Sequence, residues 1–289
     1  MNFIKSSNPD GSIVKLFYRD YGTGRPVVFI HGWPLSHKMW EYQTSVLPNY
    51  GFRCIAYDRR GFGYSDKPWT GYDYNTLADD LNAVLDELNL NNVILVGFSM
   101  GGGEIARYFS RHGGNRVSKV VLVSTVLPYL LQTAENEHGL PQDKLTEMIE
   151  SIQNDRADFL RDFAKQFYGV SLLSHPVSQA VLDWDFTVAM QASLRATVEC
   201  AHAFAETDFR ADMRNINVPT LIIHGDADET VPINASSDHT ADLIPQAEYI
   251  IYEGAPHGLF FTEKDAFNGD LIQFMQVQSE PISTREKAW

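Results

Sequence analysis

The sequence is short of cysteine, of positive charge and of long hydrophobic runs, and each shortage excludes a class of protein. Only two cysteines occur in 289 residues, Cys54 and Cys200, so neither a disulfide framework nor a CxxC metal clip is available. The 23 Lys and Arg residues stand against 37 Asp and Glu residues, which gives a formal net charge of −14. This charge argues against binding to nucleic acid or to an acidic membrane surface.

The amino terminus has no unbroken apolar stretch, and no apolar run reaches about 18 residues. We therefore expect no secretory signal, no membrane-spanning segment and a cytoplasmic protein. No HExxH or comparable zinc pattern occurs among the 9 histidines, so we expect no metal. A homo-oligomer is compatible with the sequence, which leaves the oligomeric state open.

Short β-branched runs alternate with helical patterns along most of the chain. The turn at 8–11 predicts an opening hairpin, because Pro presets one dihedral of the turn and Gly permits the next. The predicted strands are 13–21, 26–30, 52–57, 92–96, 117–123, 220–223 and 248–252. These runs lack clean alternation, as is typical of strands covered on both faces. The order predicts an α/β fold with a mostly parallel sheet and a ligand crevice at the carboxyl ends of its strands.

The alternation stops between residues 126 and 217. Helical patterns occur there without strands, for example at 142–149, 157–167 and 188–205. About ninety residues are too many for a loop inside a compact domain. We predict a helical cap at 126–217, inserted into a core made of residues 1–125 and 218–278, and a polar C-terminal tail at 279–289. An independent domain is less favoured, because the chain returns directly to a core strand at Thr220.

A G-x-S-x-G motif from Gly97 to Gly101 stands between a predicted strand and a predicted helix. A serine on so tight a turn has a strained backbone, and its hydroxyl projects into the crevice. Ser99 is therefore our candidate nucleophile. The alternative is a structural turn with an idle serine.

A serine hydroxyl needs a nearby base, and a third group must hold that base in the right tautomer. His257 follows the last predicted strand and is the candidate base. Asp228 follows the preceding strand and is the favoured orienting acid, with Asp226 and Glu253 as competitors. The chain order Ser, Asp, His is the one expected for hydrolases with a strand-turn-helix nucleophile. His224 ends a strand, where a neutral ring bound to backbone is the common outcome.

Attack on a carbonyl also needs N–H groups that stabilise the resulting oxyanion. Met100 is the candidate for one of them, because it begins a helix. Trp33 is the candidate for the other, since Pro34 has no N–H to offer. The predicted lining of a substrate pocket adds three residues that are also typical of protein cores, Phe98, Leu127 and Leu259.

Five segments carry a family resemblance: HGWPLS at 31–36, DRRGFGYS at 58–65, GFSMGGGE at 97–104, HGDADETVP at 224–232 and GAPHG at 254–258. Together they resemble the α/β-hydrolase superfamily, and within it the branch of cofactor-free (non-haem) haloperoxidases, aryl and carboxyl esterases and γ-lactamases. The resemblance implies an α/β-hydrolase fold with an eight-stranded sheet.

Carried over to this sequence, the resemblance implies Ser99 as nucleophile, His257 as base and Asp228 as orienting acid. It also implies that the Trp33 and Met100 amides form the oxyanion hole, and that residues 58–60 (Asp-Arg-Arg) are structural.

These observations predict a cofactor-independent serine hydrolase that cleaves small, neutral, apolar carboxylic esters or lactones through an acyl-serine intermediate. A proline after the oxyanion tryptophan is seen among perhydrolysing relatives, so Pro34 makes perhydrolysis a secondary expectation. Two alternatives remain open: γ-lactam or amide hydrolysis on the same triad, and a small-ligand sensor with slow turnover.

Overall fold

The computed structural model describes residues 2–277, in which eight strands form one sheet. The strands are β1 (Phe3–Ser7), β2 (Ile13–Tyr21), β3 (Arg25–Ile30), β4 (Phe52–Tyr57), β5 (Val93–Phe98), β6 (Val117–Val123), β7 (Thr220–Gly225) and β8 (Glu248–Tyr252). Their order across the sheet is β1-β2-β4-β3-β5-β6-β7-β8. The first two strands form the predicted hairpin, and β2 is also antiparallel to β4. All other neighbours are parallel, so the predicted fold class is confirmed.

Helices cover both faces of this sheet. They are α1 (Glu41–Thr44), α2 (Tyr74–Glu87), α3 (Met100–His112), α4 (Gln142–Phe167), α5 (Gln179–Ala189), α6 (Leu194–Glu206), α7 (Arg210–Met213), α8 (Ser237–Leu243), α9 (Leu259–Thr262) and α10 (Lys264–Gln276). Successive side chains of β3 point to opposite faces. Val28 accordingly packs in one hydrophobic cluster with Leu77 of α2, while Val27 packs in the other with Leu271 of α10.

Helices α4, α5 and α6 follow one another between β6 and β7, where the sequence predicts a cap. Helix α4 joins two predicted helices into one run, with a break at Asp155, where φ is −148° and ψ is 86°. The helix predicted at 188–205 is confirmed from Leu194 onward, but its predicted start is wrong, because α5 ends at Ala189. Helix α6 starts anew at Leu194, where the Ser193 side chain accepts a hydrogen bond from Ala196 N at 3.1 Å.

The limits of the core and cap stay predictions, and the predicted tail at 279–289 lies outside the described residues. Within residues 2–277, no helix has the length and apolarity needed to cross a bilayer.

Candidate active site

Ser99 occupies a strained turn between β5 and α3. Its φ is 53° and its ψ is −119°, a left-handed conformation that is costly for a residue with a side chain. The flanking glycines make the turn sterically feasible. A Cβ on Gly97 would lie 2.8 Å from the carbonyl oxygen of Gly101, and a Cβ on Gly101 would lie 2.7 Å from that of Ile30. The motif therefore holds Ser99 at the carboxyl end of a central strand.

Three residues predicted from distant parts of the chain meet at this edge of the sheet. The imidazole Nε2 of His257 lies 3.1 Å from the Ser99 hydroxyl. Its Nδ1 lies 2.6 Å from Oδ2 of Asp228. All three side chains are buried. This arrangement can transfer the hydroxyl proton to an imidazole that a carboxylate holds in position.

The competing acids lie elsewhere. Asp226 accepts a hydrogen bond of 2.6 Å from the Gly254 N–H, so it joins the turns after β7 and β8. Glu253 is exposed to solvent. Among the three acids considered, only Asp228 contacts the His257 ring.

The environment of Asp228 favours its ionised form. Burial alone would raise the pKa of its carboxyl, but the charge of His257 and hydrogen bonds from His224 and His257 hold that pKa below its usual value. Its Oδ1 also accepts backbone N–H groups of Thr230 at 2.9 Å and Val231 at 2.8 Å. Asp228 thus keeps its negative charge well into the acidic range.

The predicted oxyanion donors follow the ends of two neighbouring strands, β5 and β3. Met100 is the first residue of α3, and Trp33 lies in the loop after β3. Within residues 2–277, neither backbone N–H makes a hydrogen bond to another backbone group. Trp33 is fixed from the cap side, because its indole N–H donates to the carbonyl oxygen of Thr197 in α6 at 3.0 Å. Both N–H groups are thus free of backbone partners among the described residues, and their role in stabilising an oxyanion stays a prediction.

A buried ion pair connects the Trp33 loop to the helix that follows Ser99. The guanidinium of Arg59 pairs with the Glu104 carboxylate of α3, and both side chains are fully buried. The same guanidinium donates to the carbonyl oxygen of His31 at 2.6 Å. Tyr57 donates its hydroxyl to the other Glu104 oxygen at 2.6 Å. Arg59 thus holds two chain segments together.

The neighbours of Arg59 make similar contacts. Asp58 accepts the His37 N–H at 2.7 Å, and Arg60 donates twice to Asp80, each time at 2.6 Å.

A cavity of about 310 Å³ opens above Ser99. It is lined by Trp33, Ser99, Val126, Leu130, Leu140, Lys144, Met148, Phe159, Phe163, Gln166, Phe204, Glu229, Thr230, Val231 and His257. Most of these side chains are apolar. Lys144 and Glu229 are exposed, so they mark the mouth of the cavity.

The predicted pocket lining is largely wrong. Trp33 lines the cavity, but Phe98, Leu127 and Leu259 do not. Phe98 packs beneath the site, with its ring centroid 5.0 Å from that of Phe260. Leu127 and Leu259 are fully buried in the two hydrophobic clusters. The lining comes instead mainly from the cap, where the four-residue spacing of Phe159 and Phe163 places both on one face of α4.

The end of α4 contacts both loops that carry the candidate acid and base. Gln166 donates its amide to the carbonyl oxygen of Glu229 at 3.0 Å. The carbonyl oxygen of Phe167 accepts the Gly258 N–H at 2.8 Å. The Phe167 ring packs edge-on against the His257 ring, with centroids 4.9 Å apart. The cap therefore supports the site as well as covering it.

Sequence reasoning missed one member of this site. His224 binds backbone as expected, through Nε2 at 2.8 Å from the carbonyl oxygen of Val231. The same nitrogen also lies 3.1 Å from Oδ2 of Asp228. His224 lies at the end of a strand and Asp228 lies in the loop after it, so their spacing carries no contact signal, and only the fold shows that the two side chains face each other.

Within the described part of the chain, no three His, Cys, Asp or Glu side chains come together in a way that could hold a metal ion.

The family model of the alpha/beta hydrolase fold matches residues 25–264. The chain belongs to the α/β-hydrolase family. The match covers strands β3 to β8 and the segment between β6 and β7.

Other α/β hydrolases resemble this chain over nearly its full length. Non-heme chloroperoxidase CPO-A1 of Kitasatospora aureofaciens is 42% identical over 264 residues, which cover 91% of this chain and 96% of that protein. Bifunctional esterase/perhydrolase DCH of Acinetobacter calcoaceticus is 38% identical, over 91% of this chain and 96% of its own. The crystal structure of a bromoperoxidase from Bacillus anthracis superposes with a TM-score of 0.91 at 42% identity, covering 96% of this chain and 100% of that one. The predicted resemblance to the haloperoxidase and esterase branch is confirmed.

Proposed function

We propose that this α/β hydrolase is a serine carboxylesterase that cleaves small, neutral esters or lactones. The observation that carries the proposal is the 3.1 Å approach of His257 Nε2 to the Ser99 hydroxyl, with Asp228 on the opposite ring nitrogen at 2.6 Å. The esterase activity named for the Acinetobacter relative supports the same chemistry.

In this mechanism, Ser99 Oγ attacks the carbonyl carbon while its proton passes to His257 Nε2. The Trp33 and Met100 N–H groups stabilise the tetrahedral oxyanion. The intermediate collapses, and the leaving alcohol takes the proton from Nε2. Water then attacks the acyl-serine with His257 as base, and the acid leaves as Ser99 recovers its proton.

The cavity limits the size and charge of the substrate. Its volume of about 310 Å³ lies at the lower end of the range that is typical of small-molecule sites, roughly 300 to 1,000 Å³. Lys144 at the mouth is paired with Glu147 at 2.7 Å, which leaves the apolar walls to select the substrate. A short or medium acyl chain, or an aryl group, fits this lining.

The test of the proposal is a pre-steady-state reaction with p-nitrophenyl acetate. We expect a burst of one p-nitrophenol per active site, followed by slower turnover. Quenched samples should gain the mass of one acetyl group on the peptide that contains Ser99. A burst with the acetyl group on another residue would contradict the mechanism. Labelling by a fluorophosphonate with no turnover of any ester or lactone would instead favour the ligand-sensor alternative.

We propose perhydrolysis as a second activity of the same site, because the Acinetobacter relative is a named esterase/perhydrolase. Hydrogen peroxide would replace water in the attack on the acyl-serine, and the products would be a peracid and free Ser99. Incubation with acetate and peroxide should form peracetic acid, measured by oxidation of bromide. Peracid formation that survives loss of the Ser99 hydroxyl would contradict a shared site. Turnover of γ-lactams in the same panel would favour the amidase alternative.

The cap residue Phe163 is expected to limit substrate length. Its ring lies 5.2 Å from the Trp33 ring, and it also lines a second, very small cavity beside Leu35. Phe163→Ala should join the two cavities and admit longer acyl chains. Burial of each added methylene contributes about 0.8 kcal/mol, so two of them should raise the kcat/KM ratio for p-nitrophenyl octanoate over acetate about tenfold.

The matched control is Leu173→Ala, because Leu173 is an apolar residue between α4 and α5 with 99% of its side chain exposed. The L173A variant should leave the octanoate-to-acetate ratio as it is. A ratio that also stays unchanged in F163A would show that the acyl chain does not reach this wall.

A further inference from the structure

The end of β7 places a second histidine against the carboxylate that holds His257. His224 and Asp228 are both buried, and His224 Nε2 lies 3.1 Å from Oδ2 of Asp228. This is the oxygen that also receives Nδ1 of His257 at 2.6 Å. One carboxylate oxygen therefore faces two imidazoles.

The hydrogen-bond partners assign the tautomer of His224. Its Nε2 lies 2.8 Å from the carbonyl oxygen of Val231, which can only accept, so Nε2 carries a proton. Its Nδ1 lies 2.6 Å from the Ser237 hydroxyl, which can donate. A neutral ring satisfies both contacts and points its single N–H at the Val231 carbonyl oxygen and the Asp228 carboxylate together.

We propose that His224 is a positioning residue of the site, which draws charge from Oδ2 of Asp228 and so limits how strongly that carboxylate favours protonated His257. The inference rests on the proposed esterase function. It assigns His224 no contact with substrate. Its effect reaches Ser99 through Asp228 and His257.

Few other side chains act on the Asp228 carboxylate. The two side chains that contact Oδ2 of Asp228 are the rings of His224 and His257. The neighbouring Glu229 is exposed, and Asp226 is engaged by the Gly254 N–H. Changing the donor at His224 therefore changes a principal partner of Oδ2.

Two amide variants separate the two nitrogens of the ring. His224→Gln places an amide N–H near the position of Nε2, where it reaches Asp228 and the Val231 carbonyl oxygen. His224→Asn is one methylene shorter, so its amide lies near the position of Nδ1 and reaches only Ser237. Both variants are polar and lack a titrating ring, and only H224Q keeps a donor to Asp228.

The acid limb of the pH profile of kcat/KM is the decisive measurement. In H224N, Oδ2 loses a donor and presents more charge to His257, which then holds its proton more tightly. Because the base acts only when unprotonated, the limb should move up by about half a pH unit, a threefold change in proton affinity. We also expect kcat to fall about tenfold with little change in KM, as is typical when a group that orients a catalytic side chain is lost. H224Q should restore the wild-type limb.

The rate of fluorophosphonate labelling of Ser99 should show the same displacement, and it requires no turnover. If H224N and H224Q share one acid limb, or if H224N scales the rate equally at every pH, His224 is only structural and the proposal is overturned. A wild-type protein without ester turnover or Ser99 labelling would instead overturn the proposed function, so the two failures are distinguishable.

Discussion

Ser99→Ala should reduce ester turnover by at least about ten-thousandfold while the protein stays folded. The variant removes the only atom that can form the acyl intermediate in the proposed mechanism. It keeps the Cβ and therefore the steric requirements of the turn at φ 53°. The rate of p-nitrophenyl acetate hydrolysis measures the loss, and thermal unfolding checks the fold. Fluorophosphonate labelling should disappear with the activity.

The chain offers a closely matched control for this variant. Ser124 is also a buried serine with a positive φ, 45°, and it follows β6 as Ser99 follows β5. Ser124→Ala removes the same hydroxyl from the same kind of backbone at the end of the neighbouring strand. S124A should keep its turnover and its labelling. More than about a tenth of wild-type activity in S99A would remove Ser99 from the mechanism.

Glu104→Leu should lower the free energy of unfolding by about 3 to 5 kcal/mol, because it leaves the charge of Arg59 buried without its partner. Arg59→Met should lower the free energy of unfolding by a smaller amount. A carboxyl left alone can take up a proton and still accept the Tyr57 hydroxyl, whereas a guanidinium stays charged. The double variant R59M/E104L should recover much of the loss, because two apolar side chains of similar volume replace the pair.

Urea denaturation of the four proteins measures this cycle. The control is Asp162→Asn, which breaks the exposed pair with Lys165 on α4 and should change the free energy of unfolding by less than about 1 kcal/mol. A double variant less stable than both single variants would show that the pair itself stabilises the fold. E104L within about 1 kcal/mol of wild type would show that solvent reaches Arg59.

The sequence predicts the core of this protein well because its signals are local. Strand β5 and the glycines around Ser99 are adjacent in the chain, so the turn between strand and helix follows from residue types alone. His257 and Asp228 were predicted because each follows a parallel strand, and the carboxyl ends of parallel strands lie at one edge of the sheet. At these two positions the order of the strands was enough to predict that the side chains lie close together.

The cavity and its supports depend on contacts that the sequence does not show. Phe98 is adjacent to Ser99 in the chain, but its ring packs in the core beside Phe260 and does not line the cavity. Phe163 is more than sixty residues from Ser99, and only the packing of the cap brings it to the cavity. Likewise, nothing in the run from His224 to Asp228 indicates that the loop folds back on the strand end.

The junction at the end of α4 has a consequence for protein engineering. Gln166 and Phe167 bind the backbone of the two loops that present Asp228 and His257. A chimera that exchanges the cap for that of another α/β hydrolase must therefore keep these contacts at the end of α4. If these contacts are lost, the His257 ring is held less firmly and turnover falls whatever the substrate. The low turnover would then be mistaken for a poor fit of the new substrate.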